Sequence, residues 1–214
     1  MVTVNGMGGS VLSVNVAQMR EIARRGRMVK TGIWKLPVEG PVAVRGVNVE
    51  GDDQADRSVH GGYDKAVYSY AREDIDWWEG ELGKELPNGI FGENLTLRGI
   101  DLRDALIGER WRIGTAMLEV SEPRFPCWKL GARFADPKML KRFAAARRPG
   151  AYLRIIDEGT LEAGDAVGLV SRPAHDLTIA AFAEAYLADR SALPRLDVAE
   201  VSKDWRDWAA EHAA

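Results

Sequence analysis

All 22 glycines of the 214-residue chain lie before Ser171, and the stretch from Ser171 to Ala214 has none. Glycine lets a backbone take positive φ in tight turns, and it weakens the interior of helices. A glycine-dense stretch is therefore best built from short strands joined by turns, whereas a glycine-free one can be helical. The chain is expected to divide into a sheet-rich body, residues 1–170, and a helical tail, residues 171–214. Charge divides at the same point: the body carries 24 cationic and 24 anionic side chains, and the tail 5 and 8.

Periodicity fills in the elements. Val42, Val44, Val47 and Val49 alternate with one interruption at Arg45-Gly46, which predicts a bulged strand. Trp111 and Ile113, then Gly114, then Ala116, Leu118 and Val120 predict two strands around a turn. Ala151–Ile156 and Val167–Val170 predict two more. One helix is expected near Arg72–Leu82, and another from the Asp136-Pro137 pair to about Ala146. In the tail, Asp176 is placed as the cap of a helix with Ile179, Phe182, Ala183, Tyr186 and Leu187 on one face. Pro194 opens a short second element, and Ser202 caps a third helix bearing Trp205 and Trp208.

Composition then removes whole classes of function. A net charge of −3 lacks the clustered cation excess of a broad nucleic-acid surface. A single cysteine excludes intramolecular disulfides and argues against a cysteine-rich zinc or iron–sulfur site. The three histidines, at 60, 175 and 212, are too dispersed for a histidine metal motif. No apolar run approaches the roughly 20 residues of a membrane span, and no export signal is convincing. A cytoplasmic protein with no nucleic-acid or membrane partner is expected.

Four blocks could carry chemistry. Cys127 sits in Pro123-Arg124-Phe125-Pro126-Cys127-Trp128-Lys129-Leu130, where the prolines stiffen the approach and two cations favour thiolate over thiol. The competing reading is a buried structural cysteine. His60-Gly61-Gly62-Tyr63-Asp64-Lys65 follows Gly51-Asp52-Asp53-Gln54-Ala55-Asp56. Its glycines could bring backbone N–H groups to an anion, or simply form a polar turn before a strand at Ala66–Tyr70. Asn94, in Phe91-Gly92-Glu93-Asn94-Leu95, could read a heterocycle edge or stabilise a turn. The run Arg20, Arg24, Arg25, Arg27 and Lys30, opposed only by Glu21, is a solvated face or an anion site.

Taken in order, these blocks resemble the MOSC domain, named after the C-terminal domain of molybdenum cofactor sulfurase. The branch is the YiiM type, which adds a C-terminal three-helix segment. The resemblance spans about Thr31 to Ala214. It implies an α+β, mainly β fold: a β-barrel-like MOSC domain over 1–170 and the three-helix segment over 171–214. It also implies a molybdenum–molybdopterin cofactor with Cys127 as the metal's protein ligand, and more loosely an association with pyridoxal phosphate binding.

By motif position, Asn94 and Arg124 would contact the pterin or the metal-side oxygens, with Lys129 beside them. Thr31, Lys35 and Gln54 would serve the phosphate end. His60, Asp64 and Lys65 would line the site, with His60 the first choice of proton source. The implied activity is reduction of N-hydroxylated compounds, such as N-hydroxylated purines, with electrons from a separate reductase whose docking surface could include the acidic tail. A sulfur carrier holding a persulfide on Cys127 uses the same thiolate and remains the alternative. Because every motif precedes Ser171, the tail is expected to be dispensable for cofactor binding.

Overall fold

The structure, a computed structural model, describes residues 5–53 and 61–213. Its strands are β1 (Asn5–Ala17), β2 (Arg20–Arg24), β3 (Arg27–Thr31), β4 (Lys35–Val38), β5 (Val42–Arg45), β6 (Asn48–Val49) and β7 (Val67–Ala71). After helix α1 (Arg72–Leu82) come β8 (Leu95–Arg98), β9 (Arg110–Ile113) and β10 (Ala116–Pro123). Helices α2 (Trp128–Phe134) and α3 (Met139–Ala146) precede β11 (Ala151–Asp157), β12 (Gly159–Leu161) and β13 (Ala166–Ser171). The tail holds α4 (Ile179–Leu187), a 3₁₀ helix at Arg190–Leu196, and α5 (Lys203–His212).

Strands β13, β9, β10, β11, β7, β8 and β1 pair in that order, and β1 returns to β13, closing a seven-stranded barrel. Closure leaves no exposed edge in the ring. The strand that makes it possible is β1, where the sequence carried no expectation. It pairs with β13 through Asn5–Ser10, with β8 through Ser10–Val14 and with β4 through Val14–Ala17. Register shifts between Gly6 and Gly9 and between Val11 and Ser13 let one strand serve three partners. Every described pairing is antiparallel except β7–β8, whose connection runs through α1.

Side chains on β7 alternate between two cores. Val67 and Ala71 join the barrel interior with Leu95, Trp111, Leu118 and Leu153. Tyr68 and Tyr70 face a second cluster with Trp78, Phe91, Leu130 and Phe143 from the helices and their loops. Period two on a strand buried on both sides explains why all five of its residues are buried. The tail packs into the first core through Ile179, Phe182, Leu193 and Leu196. Backbone bonds stitch it to the loop before β9: Ile107 N–H to the Leu177 carbonyl at 3.0 Å and Ile179 N–H to the Ala105 carbonyl at 2.9 Å.

The fold is mainly β with a helical tail, as expected, and four local assignments change. Val42–Val49 is a hairpin rather than a bulged strand: Val44 pairs with Val49 and Arg45 with Asn48. Gly46, at φ 57°, supplies the positive-φ turn. The cap of α4 is Thr178, whose Oγ1 accepts from Ala181 N–H at 3.1 Å, rather than Asp176. Pro194 lies inside the 3₁₀ helix that Asp189 caps. Asp136 accepts from Lys138 N–H at 2.8 Å in a turn, and α3 begins only at Met139. Ser202 does cap α5. No described helix is long and apolar enough to cross a membrane.

Candidate functional site

A cleft with a cavity volume of about 90 Å³ opens where the β3–β4 linker, the start of β7, the loop before β8 and the segment after β10 converge. It is lined by Thr31, Lys35, Lys65, Asn94, Arg124, Cys127 and Lys129, together with Asp53, Tyr68, Phe125 and Tyr152. Two glycines set how closely its walls approach. A Cβ on Gly32 would stand 2.3 Å from the Asp53 carbonyl oxygen, and one on Gly92, at φ +79°, 2.9 Å from Ile33 Cγ1.

Behind one wall lies a buried polar cluster. Asp52 accepts from Ala17 N–H at 2.7 Å and from Asn94 Nδ2 at 2.9 Å, and it pairs with Lys35. Burial pulls the Lys35 ammonium below its ordinary pKa, and Asp52 opposes that shift. Asn94 is largely committed: Nδ2 also donates to the Asn15 carbonyl at 3.3 Å, and Oδ1 accepts from Tyr68 N–H at 3.1 Å. It therefore ties β1 to β7 while its edge faces the cleft. Thr31 is similarly engaged, Oγ1 accepting from Ile33 N–H at 3.3 Å.

The Arg124 guanidinium is 7% exposed and lies over the Tyr68 ring, 4.9 Å from its centroid. One N–H donates to the Phe91 carbonyl. Among the described residues no carboxylate pairs with it; its titratable neighbours are Tyr68, Tyr152 and Cys127. Burial pushes Tyr152 up to about 12, so it lines the cleft as a neutral phenol. Cys127 is half-buried at the N-cap position of α2, its carbonyl accepting from Leu130 N–H at 3.0 Å. Lys129 follows in the first turn.

Lys65 reaches Glu122 Oε1 at 3.4 Å, and Glu122 Oε2 accepts the indole N–H of Trp205 at 3.1 Å. Burial raises the Glu122 pKa, against the pull of Lys65 and Trp205. Asp64 is not in the cleft wall; it pairs with Arg154 at 2.7 Å, and Arg154 also holds Glu119 and the Glu200 carbonyl of the tail, each at 2.8 Å. Gln54 and His60 lie outside the described residues.

Sequence reasoning missed Asp52 as the anchor of the cluster, and Tyr68, Tyr152 and Glu122 as neighbours of the cleft. It gave the tail no part in the site, whereas Phe125 packs on the tilted ring of Tyr186 with centroids 4.2 Å apart and lies 5.6 Å from Trp205. Asp52 stood inside a quoted motif; nothing local marks Tyr152 or Trp205, which reach the site only through the fold.

Residues 56–168 match the MOSC domain. The chain is 39% identical over 163 residues to an uncharacterized protein, YflK, of Bacillus subtilis, covering 76% of this chain and 74% of that one. It is 35% identical over 170 residues to a protein of Gibberella moniliformis named reductase, covering 77% of this chain and 30% of that longer one. The crystal structure of YiiM from Geobacillus stearothermophilus superposes with a TM-score of 0.81 at 31% identity, over 96% of this chain and all of that one.

Proposed function

Since the chain belongs to the MOSC domain family and is of the YiiM type, we propose that it is a molybdenum-cofactor-dependent reductase of N-hydroxylated compounds. The observation that carries this reading is Arg124: a buried guanidinium with no described carboxylate partner, lining the same cleft as the only cysteine. A buried unpaired charge is costly, so the site calls for an anion.

The donor set fits the cofactor. Four cations, Lys35, Lys65, Arg124 and Lys129, line the cleft against the single carboxylate of Asp53. Asp52 and Glu122 balance Lys35 and Lys65 from behind, which leaves Arg124 and Lys129 for a pterin phosphate. A soft thiolate suits a sulfur-ligated metal, so Cys127 would hold molybdenum. Bound there, the cofactor supplies the two-electron chemistry that converts R–NH–OH, two electrons and two protons into R–NH2 and water.

The chain's own residues do the rest. Arg124 and Lys129 orient the anionic group, and Asn94 and Asp52 keep Lys35 at the wall. Lys65, held by Glu122, stands in the cleft as a proton donor alongside the expected His60. A persulfide carrier would need only the sulfur; the cations that line the cleft with Cys127 favour an anionic resident group instead.

The test is the molybdenum and pterin content of protein purified from a host that makes the cofactor. Cys127→Ala should lose both metal and N-hydroxylated-purine reduction while melting near the wild type. Stoichiometric molybdenum and undiminished turnover in that variant would remove the assignment.

A further inference from the structure

The hairpin β2–β3 stands apart from the barrel as its own two-stranded sheet, closed by Arg25 and Gly26. It carries Arg20, Arg24, Arg25, Arg27 and Lys30 against the single carboxylate of Glu21. Elsewhere many arginines are matched, Arg72, Arg103, Arg110, Arg147, Arg148 and Arg195 each pairing with an Asp or Glu, and the described exposed arginines without such a pair, Arg45, Arg98 and Arg190, are far apart in sequence. Among the described residues none of the five cations of the arm has such a partner.

The imbalance continues onto the body. Arg20 lies 5.5 Å over the Trp34 ring and Arg133 5.7 Å over the same ring. The buried Arg133 Nε has no hydrogen-bond partner, and burial together with Arg20 pulls its pKa down. Arg133 thus places one more guanidinium beside the arm, about the same indole as Arg20.

The arm also abuts the cleft. Arg24 stacks 4.1 Å over Trp128, the residue after Cys127, and β3 ends at Thr31 in the cleft wall. Its outward face adds apolar surface: Met28 is 62% exposed, and Met19, just before the arm, 38%. Arginine and methionine with little lysine or glutamate is the composition of a protein interface core. The cations are spread along strands of five residues, about 17 Å, too far for one phosphate to span. A nucleic-acid backbone would make no use of exposed methionine.

We propose that the β2–β3 arm is the docking surface for an acidic electron-carrier protein bearing a flavin or iron–sulfur group. The inference rests on the reductase reading, which needs two electrons for each N–O bond cleaved; the carrier is oxidised by those two electrons, and solvent supplies the two protons. Carboxylates of the carrier meet Arg20, Arg133 and the arm's cations, and its redox group comes to lie beside the Cys127 segment. The acidic tail, by contrast, would repel such a carrier.

The test uses a flavodoxin, a small acidic flavin carrier, with the cofactor-loaded protein. Its affinity is measured by calorimetry at low and high salt, and turnover is measured with flavodoxin and, separately, with dithionite. The variant is Arg27→Glu with Lys30→Glu, two exposed residues outside the cleft. The wild type should bind flavodoxin with an affinity that falls steeply with salt. The double variant should lose at least tenfold in affinity and in flavodoxin-driven turnover, with dithionite-driven turnover unchanged. No binding by the wild type, or equal affinity and rate in the variant, overturns the proposal. So does arm-dependent binding to duplex DNA or to anionic vesicles without binding to flavodoxin. Absence of dithionite turnover in the loaded wild type would instead count against the reductase reading, while the calorimetry would still decide the arm.

Discussion

Trp205, in the last helix, donates its indole N–H to Glu122 at 3.1 Å, and the other oxygen of that carboxylate faces Lys65 at 3.4 Å in the cleft wall. A residue of the tail thereby governs the electrostatics of a residue in the site. Asp64 and Tyr152 act on the same region, Asp64 raising the Glu122 pKa and Glu122 raising that of Tyr152.

Trp205→Phe keeps a ring in the aromatic cluster and removes only the donor. Glu122, already raised by burial, then loses a bond that favoured its charged form, so it protonates at higher pH. The Lys65–Glu122 contact exists above the Glu122 pKa and is lost as pH falls through it. The acid limb of a pH–turnover profile should therefore move upward in the variant, with molybdenum content unchanged. An unmoved limb would show that Glu122 does not tune the site.

Tyr186→Ala removes the ring against which Phe125 rests, at 4.2 Å between centroids. The Pro123–Cys127 segment should loosen, and alkylation of the Cys127 thiol should become severalfold faster, while Tyr186→Phe keeps the wild-type rate. Truncation at Ser171 should be worse: it strips Phe182, Leu193 and Leu196 from the barrel core. The truncated protein should therefore also retain less cofactor, the opposite of what motif order alone predicts.

Arg124→Met separates binding from folding. Removing an unpaired buried charge relieves its desolvation cost, while the Phe91 carbonyl loses its donor, and these offset within about 2 kcal/mol in the apo protein. An anionic ligand loses a charge-assisted partner worth on the order of 2–5 kcal/mol. Retained cofactor per protein should fall by roughly 30-fold or more, at a nearly constant apo melting temperature.

Glu93 is fully buried and accepts from Gly89 N–H at 2.6 Å, Phe91 N–H at 3.0 Å and Thr96 Oγ1 at 3.0 Å. Those three bonds hold the loop that carries Asn94. Glu93→Gln turns one acceptor into a donor facing a backbone N–H, at a cost of about 1–3 kcal/mol. Urea unfolding near neutral pH should give a lower midpoint with an unchanged slope.

How much of this was readable from residues follows from how local each cause is. The β9–β10 hairpin, α1 and the Ser202 cap were legible because a turn glycine, a helical period and a cap side chain sit next to what they specify. β1 was not, because its bulges break the period: Val11 and Val14, both in the barrel core, are three apart. The β5–β6 reversal was hidden because its valines keep apparent alternation across the turn. Helix α2 is short and has no capping side chain. At the site, Cys127 and its flanking cations were evident within eight residues. The engagement of Asn94 with Asp52 and of Asp64 with Arg154 spans 42 and 90 residues, and only the closed barrel brings them together.

The β1–β13 seam has a consequence for how the protein is made. Asn5 pairs with Leu169, so β1 waits for β13, the last of the described strands, before its open edge is covered. Until then the nascent chain exposes an unpaired strand, and the walls around Cys127 come from segments not yet locked together. Ring closure and the arrival of the tail are thus late events of synthesis. The cleft takes its final shape only after β13 and the tail have joined the barrel, so any ligand of the site would be loaded after that closure rather than during synthesis of the ring.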